Sequence, residues 1–204
     1  PSADFYVPER IAQLNHQGHI VSVVAATLSG EVVGHYALDL RGFGQIGITE
    51  CATAEIGRAV VNPAHRGRGL MEKMRQFTEH HARELGMQAV FSEPTMVHTF
   101  SQRANERLGA KACAVNLAMI GLELDIKSIA HVDAQSRGST MVYTQFLASP
   151  PPRQLYAPIQ HQAIICETYH HCGIPFTLCT PGEAAPHSEL GYMYQQDFDF
   201  GSIQ

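Results

Sequence analysis

Charged side chains are scarce in this chain of 204 residues: Asp, Glu, Lys and Arg make up 16% of it, against about 25% in a typical soluble domain. The 14 Lys and Arg are outnumbered by 19 Asp and Glu, so the formal net charge is -5. A protein that binds nucleic acid or an anionic membrane surface needs clustered basic residues. The composition therefore argues against nucleic-acid and membrane partners. The ion-poor surface also suggests that a partner covers part of it.

Long apolar runs are missing as well. The longest ones, such as residues 20–28, are shorter than the roughly 20 residues that a membrane-spanning helix requires. No basic segment followed by an apolar stretch opens the chain, which is the pattern of a secretory signal. We expect a soluble, cytoplasmic protein.

Paired cysteines and metal-ligand motifs are also lacking. The cysteines are odd in number and include no C-x-x-C pair, so neither a disulfide framework nor a zinc site is indicated; they are Cys51, Cys113, Cys166, Cys172 and Cys179. The 12 histidines include adjacent pairs, such as His80 and His81, but no clear third ligand. We therefore predict reduced thiols and no metal site.

The chain has neither a repeat nor a low-complexity tract, and 45% of it is hydrophobic, so it should fold around a real core. Its length suggests one domain plus an appendage. The three prolines at 150–152 form a stiff linker. We predict a domain over residues 1–148 and a C-terminal extension over residues 149–204.

The hydrophobic pattern predicts both helices and strands, and they alternate from residue 53 to residue 124. Helical spacing of apolar residues indicates helices over 8–17, 69–85, 99–108 and 159–171. Runs rich in β-branched residues indicate strands over 19–28, 32–40, 53–61, 88–91, 115–124 and 139–147. The first two strands flank a turn at Ser29 and Gly30, which predicts a β-hairpin. This order implies a largely buried sheet with helices packed across it.

The segment 62–70, between a strand and an amphipathic helix, has the composition of an anion-binding loop. Gly67 and Gly69 let the backbone approach a ligand, and the following helix presents the positive end of its dipole. Arg66 and Arg68 can add charge-assisted contacts to a phosphate. The alternative from these residues alone is a tight turn with solvent-facing arginines.

With its flanking strand and helix, the stretch 54–70 resembles the core motif of the GNAT superfamily, the acetyl-coenzyme A-dependent N-acetyltransferases. In that family an Arg or Gln begins a Q/R-x-x-G-x-G/A loop that binds the coenzyme A pyrophosphate. Arg66 matches the first position and Gly69 the fourth, whereas Met71 stands where Gly or Ala is usual. The resemblance covers roughly residues 19–124. It implies an α/β (α+β) fold with a GNAT-like mixed central sheet flanked by helices, here followed by a C-terminal αβ extension.

The resemblance also implies which residues hold acetyl-coenzyme A. In the family the strand before the loop pairs its backbone with the pantetheine arm, and a backbone N–H of that strand polarises the thioester carbonyl. Val60 and Val61 occupy this place. The pyrophosphate would lie on the loop and the start of the helix, on Arg66, Gly67, Arg68, Gly69, Leu70 and Met71.

Glu55 is the candidate general base. A subset of the family has a Glu eleven positions before the first residue of the motif, and Glu55 stands at that distance from Arg66. Its carboxylate would take a proton from the substrate ammonium, so that a neutral amine can attack. The alternative is a strand Glu that merely faces water.

The usual general acid of the family, a Tyr, is replaced by Asn105. His98, Ser101 and Tyr36 are candidates by type and approximate place, and His98 is the one whose ordinary pKa suits acid-base work. The alternative for His98 is a structural or capping role at a helix start. A thiolate also leaves tolerably without an acid, because the pKa of a thiol is low.

The resemblance thus predicts an acyltransferase that moves an acetyl group from acetyl-coenzyme A to a primary amine of a small molecule or a peptide. The alternative is a catalytically weak or inactive coenzyme A-binding module with a regulatory or scaffolding role. The family fold begins with a strand, and here the first strand-like run follows a helix, so we expect either that the chain is trimmed at its start or that the first strand is absent. A sheet edge left open in this way favours pairing with another chain, as in a homodimer.

Overall fold

The computed structural model describes residues 7–40, 52–97, 99–120 and 137–179. The described helices and strands up to residue 146 come in the order that the hydrophobic pattern predicts. The helices are α1 (Pro8–His16), α2 (Leu70–Glu84), α3 (Thr99–Arg107) and α4 (Gln162–Cys172). The strands are β1 (Ile20–Ala26), β2 (Val32–Asp39), β3 (Thr53–Val61), β4 (Ala89–Ser92), β5 (Lys111–Ile120), β6 (Gly138–Phe146), β7 (Arg153–Leu155) and β8 (Phe176–Leu178).

Strands β1 to β6 form one mixed sheet in the order β1-β2-β3-β4-β6-β5. The predicted hairpin of β1 and β2 is antiparallel. Strands β3 and β4 are parallel, and α2 connects them. Every other neighbouring pair in this sheet is antiparallel. The expectation of a mixed central sheet flanked by helices is confirmed.

The two faces of the sheet pack on different helices, because successive strand residues point to opposite faces. On one face Leu38 and Ile56 form a buried cluster with Met74 of α2. On the other face Ala37 packs with Leu14 of α1. The central strands therefore contribute to a core on each side, and α1 and α2 lie on opposite faces of the sheet.

Most predicted boundaries agree with the structure to within one or two residues, and the strand predicted over 53–61 has those bounds. The strand predicted over 115–124 is different: it begins at Lys111, four residues earlier, and is described to Ile120. The helix predicted over 159–171 begins as a 3₁₀ turn before α4. The strands β7 and β8 are too short to show an alternating pattern, and the sequence did not predict them.

The segment after the prolines forms a small unit of its own secondary structure. Strands β7 and β8 pair in parallel, and α4 connects them. Helix α4 also packs against β5 of the large sheet. The predicted boundary at residue 148 between the GNAT-like domain and the C-terminal extension stays a prediction. The described helices include none that is both long and apolar enough to cross a membrane.

Candidate active site

The candidate site lies where β3 and β4 separate. Their parallel pairing runs from Thr53 opposite Ala89 to Glu55 opposite Phe91. Beyond this point β4 ends at Ser92, whereas β3 continues to Val61. On its other side β3 stays paired with β2 up to Val61. The last residues of β3 therefore border a gap in the sheet, on the side away from β2.

A β-bulge distorts β3 within this gap. The register between β2 and β3 shifts between His35 and Ala37. On β3, Arg58 lies opposite this shift and has a left-handed backbone conformation, with φ at 51°. Such a conformation costs a non-glycine residue about 1–3 kcal/mol and persists only where its surroundings hold it. The Arg58 guanidinium lies 2.9 Å from Asp39 and 3.5 Å from Glu55. These ion pairs hold the side chain, so that the bulge is supported from two strands.

The loop after β3 is shaped by short-range contacts and two glycines. Asn62 accepts a hydrogen bond from the Ala64 amide at 3.0 Å, which begins a 3₁₀ turn. The Arg66 Nε donates to the Val61 carbonyl at 3.1 Å. Gly67 and Gly69 have φ values of 74° and 69°, which L side chains rarely adopt. This left-handed backbone turns the chain directly into α2.

The loop fits a phosphate group. A Cβ built on Gly67 or Gly69 would meet no atom within 4 Å, so the space in front of both glycines is open. Gly69 is the N-cap of α2, and the first N–H groups of a helix have no partner within it. Exposed backbone N–H groups beside the positive end of a helix dipole bind anions. The predicted residues Arg66 to Leu70 and Met71 all belong to this loop or to the first turn of α2.

Two carboxylates flank the point where the strands separate. Glu55 lies opposite Phe91, and Glu93 follows two positions later, so both side chains belong to the same face of the sheet. The Glu55 side chain is 35% exposed and pairs with Arg58. Asn116 Nδ2 donates to Glu93 at 3.0 Å. Burial, and next the negative charge of Glu55, raise the pKa of Glu93 above its ordinary value.

Sequence reasoning did not single out Glu93. Its signal was weak, because Glu93 falls just past a short strand and belongs to no motif. The alternating side-chain directions of β4, extended by two residues from Phe91, put Glu93 on the same face of the sheet as Glu55. Only the register between β3 and β4, which follows from the folded sheet, shows that Phe91 lies opposite Glu55.

Asn105 is buried beside Ser92, the last residue of β4. Its Oδ1 accepts hydrogen bonds from Arg75 and, at 2.7 Å, from Ser92. Its Nδ2 donates to the Ser101 carbonyl at 2.9 Å. Tyr36 belongs to the buried cluster of Leu38, Ile56 and Met74, and burial raises its pKa. His98 lies outside the described residues. An acid role for His98 therefore stays a prediction.

The described geometry combines a parallel strand pair that separates, a bulge and a glycine loop at a helix start. The family model of the GNAT acetyltransferases matches residues 2–110, more than half of the chain. This chain belongs to the GNAT acetyltransferase family. It is accordingly an N-acetyltransferase by family, and its enzyme class is acyltransferase.

Solved GNAT structures share the fold at low sequence identity. An N-acetyltransferase from Staphylococcus aureus Mu50 is 18% identical with a TM-score of 0.53, over 68% of this chain and 76% of that one. A GNAT acetyltransferase from Elizabethkingia anophelis with acetyl-CoA bound is 12% identical with a TM-score of 0.51, over 69% of this chain and 84% of that one.

A chimera of the spermidine N-acetyltransferase SpeG from Vibrio cholerae and hSSAT is 10% identical with a TM-score of 0.52. It aligns over 68% of this chain and 74% of that one. At these identities the likeness establishes the GNAT fold and leaves the acceptor open. No curated protein sequence matches this chain.

Proposed function

We propose that this GNAT protein transfers an acetyl group from acetyl-CoA to a primary amine. The observation that carries the proposal is the gap between β3 and β4, which opens beside the glycine loop at the start of α2. Bound acetyl-CoA would supply the acetyl group as a thioester, from which a thiolate leaves readily. The family to which the chain belongs uses this cosubstrate, and the loop geometry fits its phosphates.

The backbone of β3 and the loop would hold the cosubstrate. Val60 is 57% exposed and Val61 is half-buried, and both have β2 as a neighbour on one side and the gap on the other. The Asn62 amide donates to the Val33 carbonyl of β2, so by alternation the backbone N–H of the preceding residue, Val61, points to the gap, where it would bond to the pantetheine arm. Arg66, Gly67, Arg68, Gly69, Leu70 and Met71 would bind the pyrophosphate through backbone N–H groups and guanidinium charge.

The carboxylates at the gap suit an amine acceptor. An alkylammonium must lose a proton before its nitrogen can attack, and a base works best when its pKa lies near the operating pH. Glu93 meets this condition better than an ordinary Glu, because its pKa is raised. We assign proton removal to Glu93 and attraction of the cationic amine to the charge of Glu55. If Glu55 itself is the base, as the sequence motif predicts, the pH profiles of the variants at Glu55 and Glu93 will differ from those expected here.

The departing thiolate does not require the missing Tyr. The pKa of a thiol is low enough for the thiolate to leave and to be protonated by water afterwards. The buried contacts of Asn105 give it a structural role in the core. If His98 acts as an acid, the variant His98→Ala would lower turnover without changing the affinity for acetyl-CoA.

The described cysteines, Cys113, Cys166, Cys172 and Cys179, are free thiols, which suits the reducing cytoplasm.

Strands β1 and β5 are the edges of the described sheet. We propose that one edge pairs with a second copy, and analytical ultracentrifugation of the full chain tests for a homodimer.

Calorimetry followed by an activity assay tests the function. Acetyl-CoA is titrated into the protein, and thiol release is then followed with a panel of amines that includes polyamines, amino sugars and peptides. Binding together with amine-dependent thiol release is the expected result. Binding without release on any amine would instead support a coenzyme A-binding module, and no binding would contradict both functions.

A further inference from the structure

A chain of side-chain hydrogen bonds ends on the bulge of β3. His35 of β2 contacts the Arg58 carbonyl through Nδ1 at 3.1 Å and the Ser22 hydroxyl through Nε2 at 3.0 Å. Asn15 of α1 donates to the same hydroxyl at 3.0 Å. It also accepts from the Ser22 amide at 2.9 Å. The chain thus connects α1, β1, β2 and the bulge, and its members are partly buried.

The chemistry of the partners assigns the donors. A carbonyl only accepts, so Nδ1 of His35 must carry the proton that bonds to Arg58. Because the Ser22 hydroxyl accepts from Asn15, its own proton is available for Nε2 of His35. Every donor in the chain then meets an acceptor. A fully paired, partly buried chain of this kind fixes the position of each group in it.

The direction of the Arg58 carbonyl determines where the next amide points. The described peptide bonds include no cis bond, and in a trans peptide the C=O and N–H point in opposite directions. With its carbonyl held toward His35, the 58–59 peptide directs the Ala59 N–H away from β2. The side of β3 away from β2 is the gap where β4 has already ended.

We propose that His35 is a positioning residue, which holds the 58–59 peptide so that the Ala59 N–H faces the gap and donates to the thioester carbonyl of acetyl-CoA. The inference rests on the proposed function, because it requires acetyl-CoA in the gap. The ion pairs with Asp39 and Glu55 hold the Arg58 side chain. The contact with His35 holds the Arg58 carbonyl, which belongs to the 58–59 peptide.

A comparison of acetyl-CoA with coenzyme A tests this role, because coenzyme A lacks the acetyl carbonyl. By calorimetry, the wild-type protein should bind acetyl-CoA about 2- to 10-fold more tightly than coenzyme A, the effect of one hydrogen bond. His35→Ala should abolish this preference and leave the affinity for coenzyme A within about twofold. The Ala59 amide resonance should respond differently to the two ligands in the wild type and alike in His35→Ala.

Three variants keep the test specific. His35→Asn retains a donor at the δ position and should keep part of the preference. Ser22→Ala removes the support of the ring and should weaken it. His80→Ala, at an exposed residue of α2 that pairs with Glu84, should change neither affinity. If His35→Ala does not fold, His35→Asn and Ser22→Ala still decide the result.

Several outcomes would overturn the inference. Equal loss of both affinities in His35→Ala would show a general structural role. Equal affinities in the wild type, or an unchanged preference in the variants, would show that this amide does not contact the acetyl carbonyl. If the wild type binds neither ligand, the proposed function fails first, and that result is distinct from the others.

Discussion

At the residue scale, the gap contains two carboxylates with different environments. Glu55 pairs with Arg58, whereas Glu93 is half-buried and is bonded to an amide of Asn116. The charge of Glu55 is the second cause, after burial, of the raised pKa of Glu93. Two groups that differ in this way can serve as an electrostatic partner and a base.

The pH profile separates these roles. A base acts when deprotonated, so kcat/KM should rise as the pH passes the pKa of Glu93. Glu55→Gln removes a negative neighbour, which lowers the pKa of Glu93, and the acidic limb should move to lower pH. Glu93→Gln should remove that limb and lower kcat by about 100-fold. Steady-state rates from pH 5 to 9, at saturating acetyl-CoA, measure both effects.

Glu84→Gln is the control for this comparison, because Glu84 is an exposed carboxylate of α2. It should leave the pH profile unchanged. If Glu55→Gln abolishes the acidic limb and Glu93→Gln preserves it, then Glu55 is the base, as the sequence motif predicts.

The backbone conformation of the glycine loop depends on Gly69. With φ at 69°, an Ala there costs about 1–2 kcal/mol and favours a different loop conformation. We expect Gly69→Ala to weaken coenzyme A binding by about tenfold, because the N–H groups at the start of α2 lose their alignment. Calorimetry measures the affinity, and urea denaturation measures the free energy of unfolding.

Gly86→Ala is a matched control at the other end of α2. Gly86 has φ 79° and equally open space around it, so the strain is similar while the loop is untouched. Its free energy of unfolding should fall by a similar amount with no loss of affinity. Equal affinities for the two variants would contradict a binding role for the loop.

At the element scale, a buried ionic network connects α2, α3, β4 and β6. Arg75 pairs with Glu79 at 2.7 Å and donates to Asn105 and, at 2.8 Å, to Gln145. Gln145 donates in turn to Glu79 at 3.2 Å. Each charged group is thus compensated. Asn105 also accepts from Ser92, the last residue of β4. The network therefore joins α2, which begins at the glycine loop, to β4, which ends at the gap.

Arg75→Met should lower the free energy of unfolding by about 3–5 kcal/mol, because it leaves the buried Glu79 carboxylate without its cation. Arg75→Met combined with Glu79→Leu should recover part of this loss, since both buried charges are then removed. Urea denaturation of each variant measures the effect.

Arg83→Met is the comparison for the network, because Arg83 is an exposed residue of the same helix. It should change the free energy of unfolding by less than about 0.5 kcal/mol. A loss below about 1 kcal/mol in Arg75→Met would mean that the network does not contribute to stability.

At the scale of the whole molecule, the βαβ unit of β7, α4 and β8 touches the acetyltransferase sheet through α4 and β5. The gap and the glycine loop lie elsewhere, on β3 and α2. We expect a chain that ends at residue 148 to fold and to bind coenzyme A within about twofold of the full chain. Its Tm should be lower, because the surface of β5 under α4 becomes exposed to water.

Circular dichroism and calorimetry of the shortened chain check this division. A chain that ends at residue 179, which retains α4 and β8, should keep the Tm of the full chain if the packing of α4 is the cause. Failure of the 148-residue form to fold, or loss of its coenzyme A binding, would show that residues 149–204 are part of the catalytic domain.

Local patterns in the sequence determined much of this protein. The amphipathic spacing of α2, the glycines of the loop and the strand before it depend on neighbours a few residues apart, so their positions could be predicted. The family resemblance of residues 54–70 depends on the same local order, and it is confirmed. The short strands β7 and β8 carry too few residues for a pattern.

Only the tertiary structure decided how the site is assembled. Glu93 belongs beside Glu55 because of the register between β3 and β4, which are separated by α2 in the chain. His35 reaches the Arg58 carbonyl across 23 residues, and only because a bulge shifts the register of β2 and β3. Such contacts follow from strand pairing and burial over the whole sheet, which no short stretch of sequence contains.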